Sequence, residues 1–128
     1  MKIEASNPST IAAPASHYAQ VVDVRDASRW LMISGQVGVT PDGKLAGDSR
    51  AQVRQCFANI LEVLHAKDMK LENLVKITVF LTSTDDMPAF REVRDEMLAG
   101  HLCASTLLVI SALARPELTV EIEATAAA

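Results

Sequence analysis

The chain has 128 residues, of which 49% are hydrophobic and 4% aromatic, and its formal net charge is −4. That length and apolar content suit one domain over residues 1–128 with an aliphatic core, and they exclude an intrinsically disordered chain. The acidic balance disfavours nucleic acid as a partner, because phosphate-binding proteins present basic surfaces. No apolar run approaches the roughly 20 residues of a membrane span, and the two cysteines form no Cys-x-x-Cys pair. We therefore expect a cytoplasmic protein without a membrane partner.

The first predicted elements are strands. A short strand is expected at Lys2–Ala5, and a proline-containing loop separates it from strands at Tyr18–Val24 and Arg29–Val39. Gly35 lies near the middle of the last of these, where a glycine often marks a bulge or a close approach to the backbone. The segment Thr40–Leu45 then forms a turn, because its proline fixes φ and its glycine supplies a positive φ.

A long helix with one buried stripe is predicted next. Ser49 and Gln52 have the spacing of a capping box, and Asp48 is an alternative N-cap. The apolar residues that follow recur at helical spacing: Val53, Cys56, Phe57, Ile60, Leu61 and Leu64. The helix is expected to end within Lys67–Lys70.

The second half alternates strands with one more helix. Strands are predicted at Asn73–Ser83 and Ser105–Ala114, and a helix between them begins at Asp85 or Asp86 and ends at Gly100. This order is typical of an α+β fold in which one mixed sheet carries two helices on one face. Two helices cannot cover both faces, so we expect other copies of the chain to bury the remaining apolar face.

The closing segment Glu117–Ala128 alternates apolar and polar residues, as a half-buried strand does. Glu121 and Glu123 therefore point to the same face, about 7 Å apart at ~3.3 Å per residue. Such carboxylates usually face water. If the face opposite the helices is an interface, however, Glu121 borders a cleft between subunits, where a carboxylate is suited to proton transfer. The scattered histidines and the absence of a P-loop or HExxH motif predict no metal and no nucleotide cofactor.

Four segments together resemble the YjgF/RidA family of reactive intermediate deaminases: SHYAQVV, LMISGQVGVTPDGKL, QVRQCFANILEVLHAKDMKLENLVKITVFLTSTDDM and ELTVEIEA. The resemblance runs from about Ala15 to Ala124. It implies a chorismate-mutase-like fold and a homotrimer, with the sheets in an inner barrel, the helices outside and three small-molecule clefts between subunits. It also implies hydrolysis of imines and enamines such as 2-aminoacrylate to 2-keto acids and ammonia, without a cofactor or metal.

The resemblance implies roles for individual positions. Glu121 corresponds to the carboxylate that holds and polarises the attacking water, and Tyr18 to the tyrosine that lines the cleft. Ser34 and Gly35 correspond to the pair that lines the pocket and offers backbone groups to the substrate. All four residues of this pattern are present.

The departures from the family concern the other half of the binding site. Thr106 stands opposite Glu121, where deaminating members carry an arginine that clamps the substrate carboxylate, and Leu108 replaces their cysteine. Threonine supplies no positive fork, so the substrate is not expected to be the standard 2-aminoacrylate. Arg91 is either an exposed helix arginine paired with acidic neighbours or a residue that leans into the cleft and binds an anion. Arg94 is a weaker candidate.

Two functions remain open. The first is an imine or enamine deaminase-like hydrolase in which Glu121 positions water. The alternative is a non-catalytic small-ligand-binding or regulatory homotrimer that uses the same cleft. Loss of the arginine favours the alternative, whereas retention of Glu121 and Tyr18 disfavours it. The net charge of −4 disfavours a third function, the ribonuclease or translation inhibitor activity attributed to some relatives.

Overall fold

The structure, a computed structural model, describes all residues 1–128. Its regular elements in chain order are β1 (Lys2–Ser6), β2 (Val21–Arg25), β3 (Trp30–Val37), α1 (Ser49–Ala66), β4 (Leu74–Leu81), α2 (Met87–Leu98), β5 (Ala104–Val109) and β6 (Val120–Ala127). Both helices lie where the sequence predicts them. Neither helix has the length and apolar character needed to cross a bilayer.

Four strands form a mixed sheet in the order β3-β6-β4-β5. β6 is antiparallel to both of its neighbours, and β4 is parallel to β5. α1 packs on β3, β6 and α2, and the rings of Phe57 and Phe90 stack between the two helices at 6.2 Å. The core lies between the helices and one face of the sheet. The predicted α+β arrangement, with a mixed sheet and two helices on one face, is confirmed.

The opposite face of the sheet, which we call the open face, has no helix over it. Strand alternation places these side chains there: Trp30, Met32, Lys76, Thr78, Phe80, Thr106, Leu108, Glu121, Glu123 and Thr125. Met32 is 73% exposed, Trp30 49% and Leu108 46%. Within one chain, therefore, large apolar side chains on the open face remain in contact with water.

β1 and β2 are not part of the four-stranded sheet, which corrects the prediction of one sheet. They pair with each other in a sheet of their own. After β2, Asp26 adopts a left-handed φ of 57°. The N–H groups of Ser28 and Arg29 then donate to the carbonyl of Ala128, just past the end of β6. The segment after β2 thus crosses to the four-stranded sheet, where β3 pairs with β6. β2 and β3 therefore form no hairpin.

The strand predicted at Ser105–Ala114 is also too long, since β5 ends at Val109. The N–H of Ile110 still donates to the carbonyl of Leu81. β4 ends at Leu81, however, and a 3-10 turn follows at Thr84–Asp86. Residues beyond Ile110 consequently have no neighbouring strand to pair with.

The first turn of α1 is capped by an aspartate. The Asp48 carboxylate accepts from the N–H of Ala51 at 3.0 Å, so the N-cap is Asp48 and the capping box from Ser49 is wrong. The helix ends at Ala66, with Lys67 as its C-cap. An aspartate at the N-cap satisfies a backbone donor that the helix itself cannot pair.

Gln52, which is 1% exposed, joins α1 to the segment before β6. Its side-chain NH₂ donates to the carbonyls of Gly47 and Glu117, and its carbonyl accepts from the N–H of Thr119 at 2.9 Å. α1 also packs closely against the chain just after β3, where Gln52 contacts Gly38. A Cβ at Gly38 would lie 2.5 Å from the Cβ and Cγ atoms of Gln52, so no side chain fits at Gly38.

Replacement of Gln52 by alanine should therefore lower the free energy of unfolding by about 2–4 kcal/mol, because it leaves buried backbone groups unpaired. Urea unfolding at one protein concentration measures this change. Gln55→Ala is the matched control on the same helix, since its side chain bonds only to Asn59; its cost should stay below about 1 kcal/mol. Equal costs for the two variants would contradict the role of Gln52.

Candidate functional site

A bulge in the β3–β6 pair brings a glycine against a carboxylate. The register shifts between Ile33 and Gln36, so Ser34 and Gly35 stand outside the regular ladder. A Cβ at Gly35 would lie 2.4 Å from Oε2 of Glu121. The predicted bulge and close approach at Gly35 are both confirmed. Only glycine leaves space for the carboxylate to lie directly against this strand.

Glu121 and Glu123 share the open face, as their alternation predicts. Glu121 is half-buried and Glu123 is exposed. Val120, which precedes Glu121, and Ile122, which lies between the two glutamates, are fully buried on the helix side of the sheet. Neither carboxylate takes part in an ion pair of the chain. Of the two, Glu121 is the one that is partly shielded from water and lies beside the bulge.

Thr106 and Leu108 lie on the same open face but on the edge strand β5. Leu108 is in register with Phe80, and Phe80 with Glu121, whereas Thr106 is in register with Thr78. Two strand spacings, about 10 Å, separate β5 from β6. Within one chain, therefore, Thr106 does not stand opposite Glu121, and direct contact between them requires a second copy.

A lysine accompanies Thr106 on the open face. Nζ of Lys76, on β4, donates to Oγ1 of Thr106 at 2.9 Å. Lys76 makes no ion pair, so its charge is available beside Thr106. Sequence reasoning does not identify this lysine. The alternation of polar Lys76 with apolar Ile77 along a predicted strand indicates that Lys76 lies on the open face. It does not indicate which residue of the neighbouring strand Lys76 contacts.

Tyr18 and Arg91 line a cavity on the other side of β5, which we call the edge pocket. It has a volume of about 240 Å³. Its lining comes from the N-terminal loop, α2 and β5: Ala15, Ser16, Tyr18, Met87, Phe90, Arg91, Arg94, Ser105 and Leu107. The N–H of Ala19 donates to the carbonyl of Cys103 at 3.0 Å, and Ala19 bridges to Ala104. This bridge holds Tyr18 along the free edge of β5.

Arg94 is a buried arginine in the wall of the edge pocket, with 2% exposure. Its guanidinium pairs with Asp95 at 2.9 Å and donates to Oγ of Ser16 at 3.2 Å. It also lies over the ring of Phe90, 5.6 Å from the centroid. The sequence analysis treats Arg94 as a weaker candidate than Arg91 and does not predict its burial. The spacing of Phe90 and Arg94, four residues apart, is the signal that places both on one helix face.

Arg91 has no partner within the chain. Of its three acidic neighbours on the helix, Glu92 pairs with Arg50 at 3.1 Å, Asp95 pairs with Arg94, and Asp86 forms no ion pair. The interpretation of Arg91 as an arginine paired with acidic helix neighbours is therefore wrong. Its half-buried side chain contributes to the lining of the edge pocket.

The two cysteines are buried and unpaired. Burial, and secondly the charge of Glu121, raises the pKa of the Cys56 thiol to about 12. Burial raises the pKa of Cys103 to about 11, although Arg94 and Lys76 oppose the rise. Both thiols stay protonated at neutral pH and do not fit the role of a nucleophile. No three His, Cys, Asp or Glu side chains lie close enough to hold a metal ion.

The candidate residues thus form two groups in one chain. Ser34, Gly35 and Glu121 meet at the β3–β6 bulge, and Tyr18 and Arg91 meet at the edge pocket beside β5. β3 and β5 are the two edge strands of the sheet, three strand spacings or about 14 Å apart. The two groups do not form one site within a single chain.

Comparison with known proteins identifies the family. A model of the endoribonuclease L-PSP family matches residues 9–128. The chain belongs to the YjgF/RidA family. This confirms the resemblance carried by the four sequence segments.

Two curated relatives and one solved structure are similar to this family member. A 2-iminobutanoate/2-iminopropanoate deaminase of Mus musculus is 37% identical over 122 residues, which are 92% of this chain and 87% of that protein. A RutC family protein of Aquifex aeolicus is 37% identical over 83 residues, 64% of this chain and 62% of that relative. The alignment thus spans less than two thirds of that relative. The Rid-family protein YyfB from Yersinia pestis superposes with a TM-score of 0.89 over 100% of both chains, at 29% identity.

The contact between Gly35 and Glu121 can be tested in this YjgF/RidA-family chain by a double-mutant cycle. Gly35→Ala should be destabilising because its methyl group collides with the Glu121 side chain. In a Glu121→Ala background most of that cost should vanish, giving a coupling energy of about 1–2 kcal/mol in urea unfolding. Strictly additive costs would mean that the carboxylate does not lie against Gly35.

Proposed function

We propose that this YjgF/RidA-family chain is a deaminase-like hydrolase that acts on a small imine or enamine in a cleft between the subunits of a homotrimer. The observation that carries the proposal is the half-buried Glu121 set against the Gly35 bulge. There a carboxylate able to take a proton lies beside backbone groups outside the regular ladder. The mouse relative named 2-iminobutanoate/2-iminopropanoate deaminase supports the reaction class.

The separation of the two residue groups supports a site between subunits. Tyr18 and Thr106 lie by the β5 edge, and Glu121 lies by the bulge on the far side of the sheet. In the proposed trimer, the β5 edge of one subunit faces the bulge of the next. The open faces then form an inner barrel that covers exposed Trp30 and Met32, which a single chain leaves in water.

The proposed reaction needs one water and no cofactor or metal. Glu121 takes a proton from the water while the water oxygen bonds to the imine carbon, and the nitrogen receives that proton. The resulting carbinolamine loses its hydroxyl proton to the nitrogen, the C–N bond breaks, and the products are ammonia and a carbonyl compound. Tyr18 holds the substrate, and Ser34 and Gly35 offer backbone groups to it.

The proposed substrate is not the standard 2-aminoacrylate. Thr106 offers a hydroxyl and Leu108 a hydrocarbon surface, so neither supplies a bidentate cation for a carboxylate at this position. The same absence favours the alternative function, a non-catalytic ligand-binding or regulatory homotrimer. We also propose that the chain is one domain and that it works in the cytoplasm, where its unpaired cysteines would stay reduced.

Keto acid release from a panel of enzymatically generated amino-acid imines tests the catalytic proposal. The protein should accelerate hydrolysis of at least one imine, and Glu121→Gln should reduce that rate at least about 100-fold. Glu123→Gln is the matched control, because its carboxylate lies on the same strand and face two residues away, and it should retain the rate. No acceleration of any imine, or equal rates for both variants, would reject the role of Glu121.

Light scattering with size-exclusion chromatography tests the trimer. The wild-type mass should be three times the 13.8 kDa of one chain. Met32→Glu should shift the protein towards the monomer, since it places a charge on the open face that the subunits cover. Leu45→Glu alters another exposed apolar residue away from the sheet and should leave the trimer intact. A monomeric wild type would remove the basis for an intersubunit cleft.

A further inference from the structure

Two side-chain donors act on the β3 bulge that carries Ser34 and Gly35. Nε2 of Gln36 donates back to the carbonyl of Ser34 at 3.0 Å. Sγ of Cys56, on α1, donates to the carbonyl of Gln36 at 3.2 Å. Gln36 is also the first residue after the bulge that pairs with β6 again, opposite Ile122. It is therefore held through its side chain and through its carbonyl at the point where the regular ladder resumes.

The thiol of Cys56 lies against both strands of the bulged pair. Besides the carbonyl of Gln36 on β3, the carbonyl of Val120 on β6 lies 4.0 Å from Sγ. Val120 directly precedes Glu121. Burial, and secondly the charge of Glu121, raises the pKa of the Cys56 thiol to about 12. The thiol therefore keeps its proton at neutral pH and serves as a hydrogen-bond donor.

A second polar residue of α1 holds the chain just beyond the bulge. The side-chain NH₂ of Asn59 donates to the carbonyls of Val37 and Val39 at 3.3 and 3.4 Å. Nε2 of Gln55 donates to Oδ1 of Asn59 at 2.8 Å, which turns the NH₂ group towards those carbonyls. Cys56 lies three residues before Asn59, so both side chains are on one face of the helix. α1 thus holds several carbonyls of the chain that leaves the bulge.

The position of the bulge decides whether Gly35 meets the Glu121 carboxylate. Ser34 and Gly35 stand opposite a single residue of β6, Glu123, so β3 contains one extra residue here. Without the two side-chain bonds that residue is free to move along β3, and such a move carries Gly35 away from Oε2 of Glu121. A displacement of about 1 Å at a reacting group can lower a rate about 100-fold.

We propose that Cys56 and Gln36 are positioning residues of the Glu121 site: their bonds fix the bulge, so that the carboxylate stays against Gly35 in one place. The catalytic consequence rests on the proposed function, in which Glu121 takes a proton from water. Both residues act through the bulge and not on the substrate. A thiol is a weak donor, so loss of its bond should affect the alignment of Glu121 more than the stability of the core.

The double-mutant cycle between Gly35→Ala and Glu121→Ala measures this alignment without any substrate. Its coupling energy should fall by about half or more in a Cys56→Ala or a Gln36→Met background, because a bulge that is free to shift lets the added methyl group avoid the carboxylate. Cys56→Ser keeps a donor and should preserve the coupling. Cys103→Ala is the matched control and should leave the coupling unchanged, since Cys103 is also buried but directly precedes β5, at the other edge of the sheet.

Steady-state kinetics on an imine that the wild type hydrolyses test the catalytic consequence, at a temperature where circular dichroism shows every variant folded. Cys56→Ala should lower kcat at least about tenfold while KM changes less than about twofold, because the substrate contacts remain and the proton acceptor is displaced. Cys56→Ser should restore most of kcat, and Cys103→Ala should match the wild type. An equal loss of kcat in Cys56→Ala and Cys103→Ala would indicate a general packing effect and overturn the positioning role.

The failures of the two proposals can be told apart. If the coupling falls in both backgrounds but the protein hydrolyses no imine, or Glu121→Gln keeps turnover, the proposed reaction fails and the hold on the bulge stands. If the coupling is unchanged in both backgrounds while Glu121→Gln abolishes turnover, the positioning roles are wrong and the proposed reaction stands. Gln36 lies outside the buried core, so Gln36→Met decides the question even where Cys56→Ala does not fold.

Discussion

The buried amide of Gln52 is the constraint on which the rest of the molecule depends. It joins the first turn of α1 to Thr119, two residues before Glu121, and it presses against Gly38 just beyond the end of β3. One side chain therefore fixes the position of a helix against both strands of the bulged pair. The closeness of the Glu121 carboxylate to Gly35 follows from that register, because a shift by one residue would turn Glu121 into the core.

The two groups of candidate site residues lie towards opposite edges of the sheet. The bulge holds an unpaired carboxylate, and the far edge holds an unpaired arginine and a tyrosine around a cavity. Between them lies an open face whose apolar side chains have no cover within the chain. The proposed function thus places proton transfer and ligand binding on different surfaces. In the proposed trimer, contact between copies would bury this apolar area and bring the two groups together.

Local patterns predict much of this molecule. The alternation along β6 predicts the shared face of Glu121 and Glu123, and the glycine within a strand pattern predicts the bulge. The pairing of Ser28 and Arg29 with Ala128, some hundred residues away, leaves no local trace, so the separate β1–β2 sheet is missed. The sequence does not predict the burial of Arg94 or the contact between Lys76 and Thr106 for the same reason. Periodicity predicts which face of a helix or strand a residue lies on, but not which segment packs against that face.

Few hydrogen bonds join the N-terminal loop, which forms one wall of the edge pocket, to the rest of the chain. Ser16 and Ala19 tie it to the body by one side-chain and one backbone hydrogen bond, each worth about 0.5–1.5 kcal/mol net. Because detaching it breaks fewer contacts than unfolding the core, we expect the loop to open locally before the core unfolds. A local opening of this loop would expose the α2 and β5 walls of the edge pocket to solvent while the core stays folded. The Arg94–Ser16 bond thus contributes to how often the wall of the edge pocket is exposed to solvent.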